Sequence, residues 1–214
     1  MDDLSLEYLV QEPIKKRKKT PLILVVHGYG SNKEDLFSFA PELPDYALVI
    51  SVQAPISLPF GGYAWYSITF DADQNKFSDP VEGKDAVQKL NFFLEEIKIK
   101  YEIDKNNISL LGFSQGAILG YAFSFTYPDK IRNVVALSGY FNPDFLINIP
   151  RTNKINYFIS HGTSDQVIPI EWAKKAPKLL HSLKINHTYK EYPVGHGIHP
   201  GNFYDFKDWI KNHT

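Results

Sequence analysis

Short apolar runs recur along the chain, separated by longer stretches with apolar residues at helical spacing. The runs are rich in β-branched residues and almost free of polar ones, which is typical of strands covered on both faces of a parallel sheet. Residues 188–192 alternate polar and apolar positions and are predicted to lie nearer the sheet edge. Residues 4–10 are predicted as a first strand that forms a hairpin with the run beginning at Leu22. The predicted buried strands are Leu22–Val26, 46–52, Ile108–Phe113, 134–137 and 157–160.

Helix signals lie between these runs. Asp79 followed by Pro80 and Glu82 is typical of a helix start, because Asp caps free N–H groups and Pro fits the first turn. From Val87 to Tyr101, apolar residues recur at steps of three and four, which defines one helical face. Further helices are predicted over 115–126, 171–183 with a kink at Pro177, and 203–211, with a short one opening at Ser31. This alternation predicts an α/β fold with a mostly parallel, doubly wound sheet and helices on both faces.

Residues 112–116 read G-F-S-Q-G and give the strongest chemical signal in the chain. A serine between an apolar strand and a helix lies on a sharp turn that projects its hydroxyl above the sheet. Gly112 and Gly116 flank it, where a Cβ would collide with neighbouring backbone. The N–H groups of the helix start favour negative charge at the same place. Ser114 is therefore the predicted nucleophile, with a plain Gly-rich strand-to-helix turn as the alternative.

A serine nucleophile needs a base, and the base needs an orienting carboxylate. After this type of turn the acid comes first and the histidine second, each at a strand end. Asp165 lies just past residues 157–160 and is the predicted acid, with a turn or capping role as the alternative. Asp129 ends a helix and Asp144 lies in an Asn-Pro-Asp turn, so both are weaker candidates.

His196 is the predicted base. It follows residues 188–192 and lies between two glycines that let the loop bring the imidazole over the sheet. His199 is the nearest rival, and His161, inside a strand end, is expected to make a structural hydrogen bond. The remaining histidines past the serine are predicted at the surface or in helices: His181, His187 and His213.

Acyl transfer also needs N–H donors for the oxygen that becomes negatively charged. The backbone N–H of Gln115, directly after the serine, is the first candidate. Residues 27–30 read H-G-Y-G at the end of the second strand, and the backbone N–H of Tyr29 is the predicted second donor. A plain Gly-rich loop between a strand and a helix is the alternative for this segment.

Composition narrows the chemistry. The 214 residues are 43% hydrophobic and 22% charged, typical of a single globular domain over 1–214. The absence of cysteine excludes a thiolate nucleophile, and a net charge of −1 gives no overall pull toward nucleic acid or membrane. No signal peptide or long apolar span is visible, so a cytoplasmic location without stable membrane insertion is expected. No metal or organic cofactor is predicted, and a monomer or homodimer is expected.

Taken together, these motifs resemble the phospholipase/carboxylesterase family of α/β-hydrolases, which includes the acyl-protein thioesterases. The resemblance extends over about residues 22–209, most of the chain. The family's H-G-x-G, G-F-S-Q-G, H-G-x-x-D-x-V-[IV]-P and G-H-x-[IV] segments match residues 27–30, 112–116, 161–169 and 195–198.

The resemblance implies an α/β-hydrolase fold in which Ser114, Asp165 and His196 form the triad and the Tyr29 and Gln115 amides form the oxyanion hole. It implies a serine carboxylic-ester hydrolase that acts through an acyl-enzyme on small or medium-chain acyl esters. A thioesterase or acyltransferase with the same triad is the alternative, and a non-catalytic binding protein on this fold is a weaker one. The chain is too short for a large lid domain, which argues against a lipase with interfacial activation.

A departure from the family pattern lies in the long segment 54–80. The family often has W-[FY]-D where this chain has Trp65, Tyr66 and then serine, which bears on substrate preference. Long loops are usually functional, and this one is rich in aromatic rings. We therefore predict an acyl-binding wall that includes Trp65, Tyr66, Phe70 and, from elsewhere, Phe141. The alternative is that these rings hold the loop to the body of the protein.

Residues 15–19 are five consecutive basic residues. The favoured interpretation is a solvated hairpin tip that blocks edge pairing of the sheet. The alternative is attraction to an anionic membrane or an acidic partner.

Overall fold

A computed structural model describes residues 4–70, 76–147 and 154–214, which contain one large sheet, two small hairpins and flanking helices. The strands are β1 Tyr8–Gln11, β2 Leu22–Val26, β3 Leu48–Val52, β4 Ile56–Ser57, β5 Tyr63–Ala64, β6 Ile68–Phe70, β7 Lys76–Ser78, β8 Ile108–Phe113, β9 Asn133–Leu137, β10 Asn156–Gly162 and β11 His187–Tyr192. The helices are α1 Pro80–Lys100, α2 Gln115–Thr126, α3 Ile170–Ala173, α4 Lys175–Ser182 and α5 Pro200–His213, with 3-10 segments at Leu36–Glu42 and Pro143–Phe145.

The large sheet has the strand order β1-β3-β2-β8-β9-β10-β11. All neighbours are parallel except β1, which pairs antiparallel with β3. The predicted hairpin between residues 4–10 and Leu22–Val26 is therefore wrong. β2 is buried along its whole length and has a parallel neighbour on each side, whereas the partly exposed β1 suits an edge. Residues 12–21 connect β1 to β2, and β3 lies between these two strands in the sheet.

The buried strands feed two cores, one on each face of the sheet. In β2, Leu22 and Leu24 pack with residues of α1 and α2, whereas Ile23 and Val25 pack with residues of α5 and the first 3-10 segment. Such strands are apolar at every position because both of their faces are covered. This arrangement confirms the predicted doubly wound α/β sheet with helices on both faces.

Helix starts follow the capping signals in the sequence. The Asp79 carboxylate accepts the backbone N–H groups of Val81 at 2.8 Å and Glu82 at 3.0 Å, which fixes the beginning of α1. Helix α2 has the predicted bounds. The segment predicted over 171–183 is divided into α3 and α4 instead of being kinked at Pro177. Pro177 lies in the first turn of α4, where its missing N–H breaks no helical hydrogen bond.

The segment beginning at Ser31 forms no capped α-helix. Its hydroxyl donates to the carboxylate of Asp35 at 2.6 Å, and the helical segment that follows is the 3-10 segment Leu36–Glu42. Within the three described ranges no inserted lid domain covers the sheet. None of the helices described there is long and apolar enough to cross a bilayer.

Candidate active site

Ser114 lies on the turn between β8 and α2, with backbone angles φ 52° and ψ −114°. Non-glycine residues seldom adopt a positive φ, so this backbone is held in place by its surroundings. The Ser114 N–H donates to the Leu137 carbonyl at 2.9 Å. A Cβ on Gly112 would overlap the carbonyl of Gly116, and one on Gly116 would overlap the carbonyl of Val26. The two flanking glycines are therefore required for close backbone packing around the serine.

The serine, histidine and aspartate expected from the sequence meet at the carboxyl ends of three parallel strands. Ser114 follows β8, Asp165 follows β10 and His196 follows β11. His196 Nε2 lies 3.0 Å from Ser114 Oγ, and His196 Nδ1 lies 2.7 Å from Asp165 Oδ2. The Asp165 side chain is fully buried, whereas 18% of the His196 side chain is exposed. This arrangement has the hydrogen-bond order of a serine nucleophile, its base and an orienting acid.

The Asp165 carboxylate is held by backbone as well as by histidine. Its Oδ1 accepts the N–H groups of Val167 at 2.8 Å and Ile168 at 2.9 Å. Burial by itself raises the pKa of Asp165, but the Ile168 N–H, the hydrogen bond and charge of His196 and the Val167 N–H outweigh it, and the net pKa is lowered. The carboxylate is therefore ionised at neutral pH and free to accept from His196 Nδ1.

The rival residues occupy other places. His199 Nδ1 accepts the Gly201 N–H at 3.0 Å and caps α5, and Asp144 lies in the 3-10 segment Pro143–Phe145. His161 makes the expected structural bond, with Nε2 2.8 Å from the Ile168 carbonyl. Its Nε2 also lies 3.3 Å from Asp165 Oδ2, a contact that the sequence did not predict. Among the residues that the structure describes, no group of His, Asp and Glu is placed to hold a metal ion.

The two predicted oxyanion donors belong to the loop after β2 and to the first residue of α2. A Cβ on Gly28 would lie 3.2 Å from the Ser114 Cβ, so the loop after β2 runs directly beside Ser114. Gly30 has φ 74°, and its N–H donates to the Tyr63 carbonyl at 2.9 Å. In the described part of the chain, the backbone N–H groups of Tyr29 and Gln115 have no hydrogen-bond acceptor. An oxyanion hole requires uncommitted N–H groups of this kind.

Two of the rings predicted for an acyl-binding wall are buried in the core. Trp65 and Tyr66 are each 1% exposed. The Trp65 indole N–H donates to the His27 carbonyl at 3.0 Å, and Tyr66 packs edge-on against Phe145. The Gln115 side chain accepts the Trp65 backbone N–H at 3.0 Å and donates to the Tyr66 carbonyl at 2.8 Å. These contacts favour the alternative, in which the rings hold the loop to the body.

Phe141 has a different environment from those rings, and the side chain of Phe70 lies outside the described part of the structure. Phe141 is partly buried and borders a cleft of about 560 Å³, within the usual size range of ligand pockets. Tyr140 and Trp172 meet edge to face in this cleft, with ring centroids 5.3 Å apart. Sequence reasoning missed these two rings: Tyr140 lies shortly after the predicted strand 134–137, and Trp172 lies near the start of the helix predicted over 171–183. The remaining lining residues are Ser78, Asn142, Pro143, Asp144, Lys175 and Leu179.

The fold and this site define an α/β-hydrolase. Residues 8–214 match the family model described as phospholipase/carboxylesterase, and the chain belongs to that family. The resemblance read from the sequence motifs is thereby confirmed. The family is one of hydrolases, which supports the reading of the chain as an ester hydrolase.

Curated relatives and solved structures agree with this placement. A probable carboxylesterase of Oryza sativa subsp. japonica is 28% identical over 205 residues, covering 89% of this chain and 77% of the relative. Acyl-protein thioesterase 1 of Saccharomyces cerevisiae is 34% identical over 160 residues, covering 69% and 67%. The Bacillus cereus carboxylesterase structure superposes with a TM-score of 0.84 at 24% identity, covering 98% of this chain and 95% of that one. Esterase PE8 gives a TM-score of 0.86 at 21% identity, covering 98% and 99%; both structural similarities show the fold.

Proposed function

We propose that this protein hydrolyses carboxylic esters through an acyl-enzyme formed on Ser114. The observation that carries the proposal is the continuous hydrogen-bonded line from Ser114 Oγ through His196 to Asp165, with distances of 3.0 and 2.7 Å. Because a serine hydroxyl is a weak nucleophile at neutral pH, it needs a base in hydrogen-bond contact. His196 Nε2 is in that position, and its Nδ1–H donates to the ionised Asp165.

The reaction has two halves. Ser114 Oγ attacks the ester carbonyl carbon while His196 Nε2 takes the hydroxyl proton. The carbonyl oxygen becomes negative and accepts the backbone N–H groups of Tyr29 and Gln115. The intermediate then collapses, the C–O bond to the leaving alcohol breaks, and His196 returns the proton to that alcohol. In the second half, water attacks the acyl carbon while His196 Nε2 takes its proton. The bond between the acyl carbon and Ser114 Oγ then breaks, His196 returns the proton to Oγ, and the carboxylic acid is released.

The direct test compares Ser114→Ala with Ser182→Ala, which removes an exposed serine hydroxyl in α4. Ser114→Ala is expected to lower kcat by on the order of 10⁴-fold or more, because no other group can form the acyl-enzyme. Ser182→Ala should retain wild-type activity. A fluorophosphonate probe should label the wild type and the control but not Ser114→Ala. Wild-type esterase activity in Ser114→Ala, or labelling of another residue, contradicts the proposal, and an unlabelled, inactive wild type favours a binding protein.

For the acyl side of the substrate, we infer that the cleft bordered by Tyr140, Phe141 and Trp172 holds a small or medium-chain acyl group. A Cβ on Gly139 would lie 3.2 Å from the Ser114 carbonyl oxygen, so the segment that carries Tyr140 begins beside the nucleophile. Trp172→Ala should raise KM most for the longer acyl chains, since these contact more of the cleft. An unchanged profile of KM against chain length would place the acyl group elsewhere.

A thioester is the second candidate substrate, because the same triad cleaves both bonds and several relatives are named acyl-protein thioesterases. Ester and thioester substrates with matched acyl chains, compared by kcat/KM, distinguish the two. A location in the cytoplasm and a monomeric or dimeric state remain predictions from the sequence.

A further inference from the structure

His27 begins the loop that carries Tyr29, whose backbone N–H is the second proposed oxyanion donor. His27 is fully buried and directly follows β2. Its Nε2 accepts the backbone N–H of Ala54 at 3.0 Å, and its Nδ1 lies 2.8 Å from the carbonyl oxygen of Gly28. A backbone N–H can only donate, so Nε2 carries no proton. Nδ1 therefore carries the proton and donates it to the Gly28 carbonyl.

The same surroundings keep this ring neutral. Burial lowers the pKa of His27 below its usual range, although the Gly28 carbonyl and the charge of Asp35 act in the opposite direction. An imidazolium would place a proton on Nε2, facing the N–H of Ala54, and would lose that hydrogen bond. The neutral ring with the proton on Nδ1 makes both contacts.

The Gly28 carbonyl and the Tyr29 N–H belong to one peptide unit. This unit is planar and trans, so its C=O and N–H point in opposite directions. A donor that holds the carbonyl therefore also sets the direction of the N–H. Glycines lie on both sides of Tyr29; the N–H of Gly30 is held by the Tyr63 carbonyl at 2.9 Å, on the far side of Tyr29 from the Gly28 carbonyl. In the ranges that the structure describes, the other donor to the Gly28 carbonyl is the Ser31 N–H, which at 3.4 Å holds it weakly.

His27 is itself held by the segments that pack on the serine turn. The Trp65 indole N–H donates to the His27 carbonyl at 3.0 Å, and the two rings lie 5.7 Å apart. The Gln115 side chain accepts the backbone N–H of the same tryptophan. The imidazole therefore has a fixed position relative to both proposed oxyanion donors, Tyr29 N–H and Gln115 N–H.

We propose that His27 is a positioning residue for the oxyanion hole. Its neutral imidazole holds the carbonyl of the Gly28–Tyr29 peptide, so that the N–H of that peptide points at the oxygen bound beside Ser114. It also polarises the peptide, because a hydrogen bond at the carbonyl strengthens donation by the N–H. His27 does not contact the substrate. This inference rests on the proposed esterase function and adds a residue to it.

Two matched substitutions separate the two contacts of the ring. In His27→Asn the amide nitrogen lies close to the place of Nδ1 and can still donate to the Gly28 carbonyl. In His27→Gln the amide reaches the place of Nε2, so it accepts from Ala54 but leaves the carbonyl without this donor. Each variant loses one hydrogen bond, so similar losses of thermal stability are expected.

The two variants should differ in catalysis. His27→Gln is expected to lower kcat by about 10- to 100-fold, less than the complete loss of an oxyanion donor, while KM changes by less than about twofold. His27→Asn should stay within about threefold of the wild-type kcat. A trifluoromethyl ketone forms a tetrahedral adduct whose oxygen occupies the hole. Its inhibition constant should therefore rise in His27→Gln by the same factor by which kcat falls.

Several results overturn the inference. One is an unchanged kcat in His27→Gln, and another is an equal loss in both variants that follows their loss of stability. A change confined to KM is a third. If the wild type is active and Ser114→Ala is inactive, these results contradict only the role proposed for His27 and leave the proposed esterase function intact. An inactive wild type instead contradicts the proposed function and this inference with it.

A measurement on the wild type does not depend on the variants folding. Nitrogen-15 NMR of the histidine side chains distinguishes a protonated ring nitrogen from a bare one. His27 should show a protonated Nδ1 and a bare Nε2 at neutral pH, before and after the inhibitor is added. The opposite tautomer overturns the proposal, because a bare Nδ1 cannot donate to the Gly28 carbonyl. An imidazolium also overturns it, because its protonated Nε2 could not accept the Ala54 N–H.

Discussion

At the scale of single residues, Asp165 has the most closely defined surroundings in the proposed triad. It accepts hydrogen bonds from two backbone N–H groups and from His196. Asp165→Asn should lower kcat by on the order of 10⁴-fold, because an amide can donate to Nδ1 and so favours the wrong tautomer of the base. Asp129→Asn, a change at the rival carboxylate, should leave kcat unchanged. Comparable losses in both variants would contradict the assignment of the acid.

The lowered pKa of Asp165 also predicts a pH dependence of stability. Its pKa in the folded protein is below the unfolded value of about 3.9, so the contribution of the carboxylate is fully present above that pH. It is lost as the pH falls through the folded pKa. The difference in unfolding free energy between wild type and Asp165→Asn, measured by urea denaturation, should be constant near neutral pH and shrink below about pH 4. A difference that grows on acidification would show that the sign is wrong.

The sequence predicted Ser114, Asp165 and His196 because their chemistry depends on local turns and on chain order. It did not reveal the role proposed for His27, because that role depends on Ala54, which lies on a separate strand end. Whether Trp65 lines a pocket or is buried in the body was left open by the sequence for a related reason. An aromatic ring has the same hydrophobic character in a core as on a pocket wall, and only packing distinguishes the two.

At the scale of elements, α1 shows how packing reverses a local preference. Gly83 lies within α1, where alanine would ordinarily stabilise the helix by about 1 kcal/mol. A Cβ at this position would overlap the fully buried ring of Phe145. Gly83→Ala is therefore expected to destabilise the protein by about 1–3 kcal/mol in chemical denaturation. In a Phe145→Leu background, where the ring is gone, the same Gly83→Ala change should cost less than it does in the wild type. A Gly83→Ala protein that is more stable than the wild type would refute the clash.

The elements that the sequence predicted well are those with an unambiguous period or cap. Buried parallel strands such as Ile108–Phe113 and the capped start at Pro80 had the predicted bounds. The strand partner predicted for Tyr8–Gln11 was wrong. Neighbouring positions in the chain favour a hairpin with β2, but in the assembled sheet β2 has a neighbour on each side and β3 is the strand with a free edge. Pro177 likewise gave no kink, because the helix restarts at Lys175 and leaves the proline in a first turn.

At the scale of the whole molecule, the basic segment and the proposed active site lie at opposite ends of the sheet. Residues 15–19 precede the beginning of β2, whereas the proposed triad follows the ends of the parallel strands. A five-residue strand such as β2 is roughly 17 Å long, well beyond the Debye length at physiological salt of about 8 Å. Lys15 pairs with Asp45 at 2.7 Å, and Arg17 lies 3.2 Å from the ring centroid of Tyr46. The segment is not the tip of a hairpin with β2, but it is exposed as expected.

This separation predicts that the exposed lysines of the segment do not influence catalysis. Replacing Lys16, Lys18 and Lys19 together by Gln should leave kcat/KM for a neutral, soluble ester within about twofold, at low and at physiological salt. The same variant tests the membrane alternative. Near an anionic bilayer each lysine contributes about 1 kcal/mol, so a membrane-docking segment would lose about 100-fold in vesicle affinity. If the segment is only solvated, both proteins should sediment equally and weakly with phosphatidylserine vesicles. Vesicle binding by the wild type that the variant loses would instead show that the segment is a membrane-docking surface facing away from Ser114.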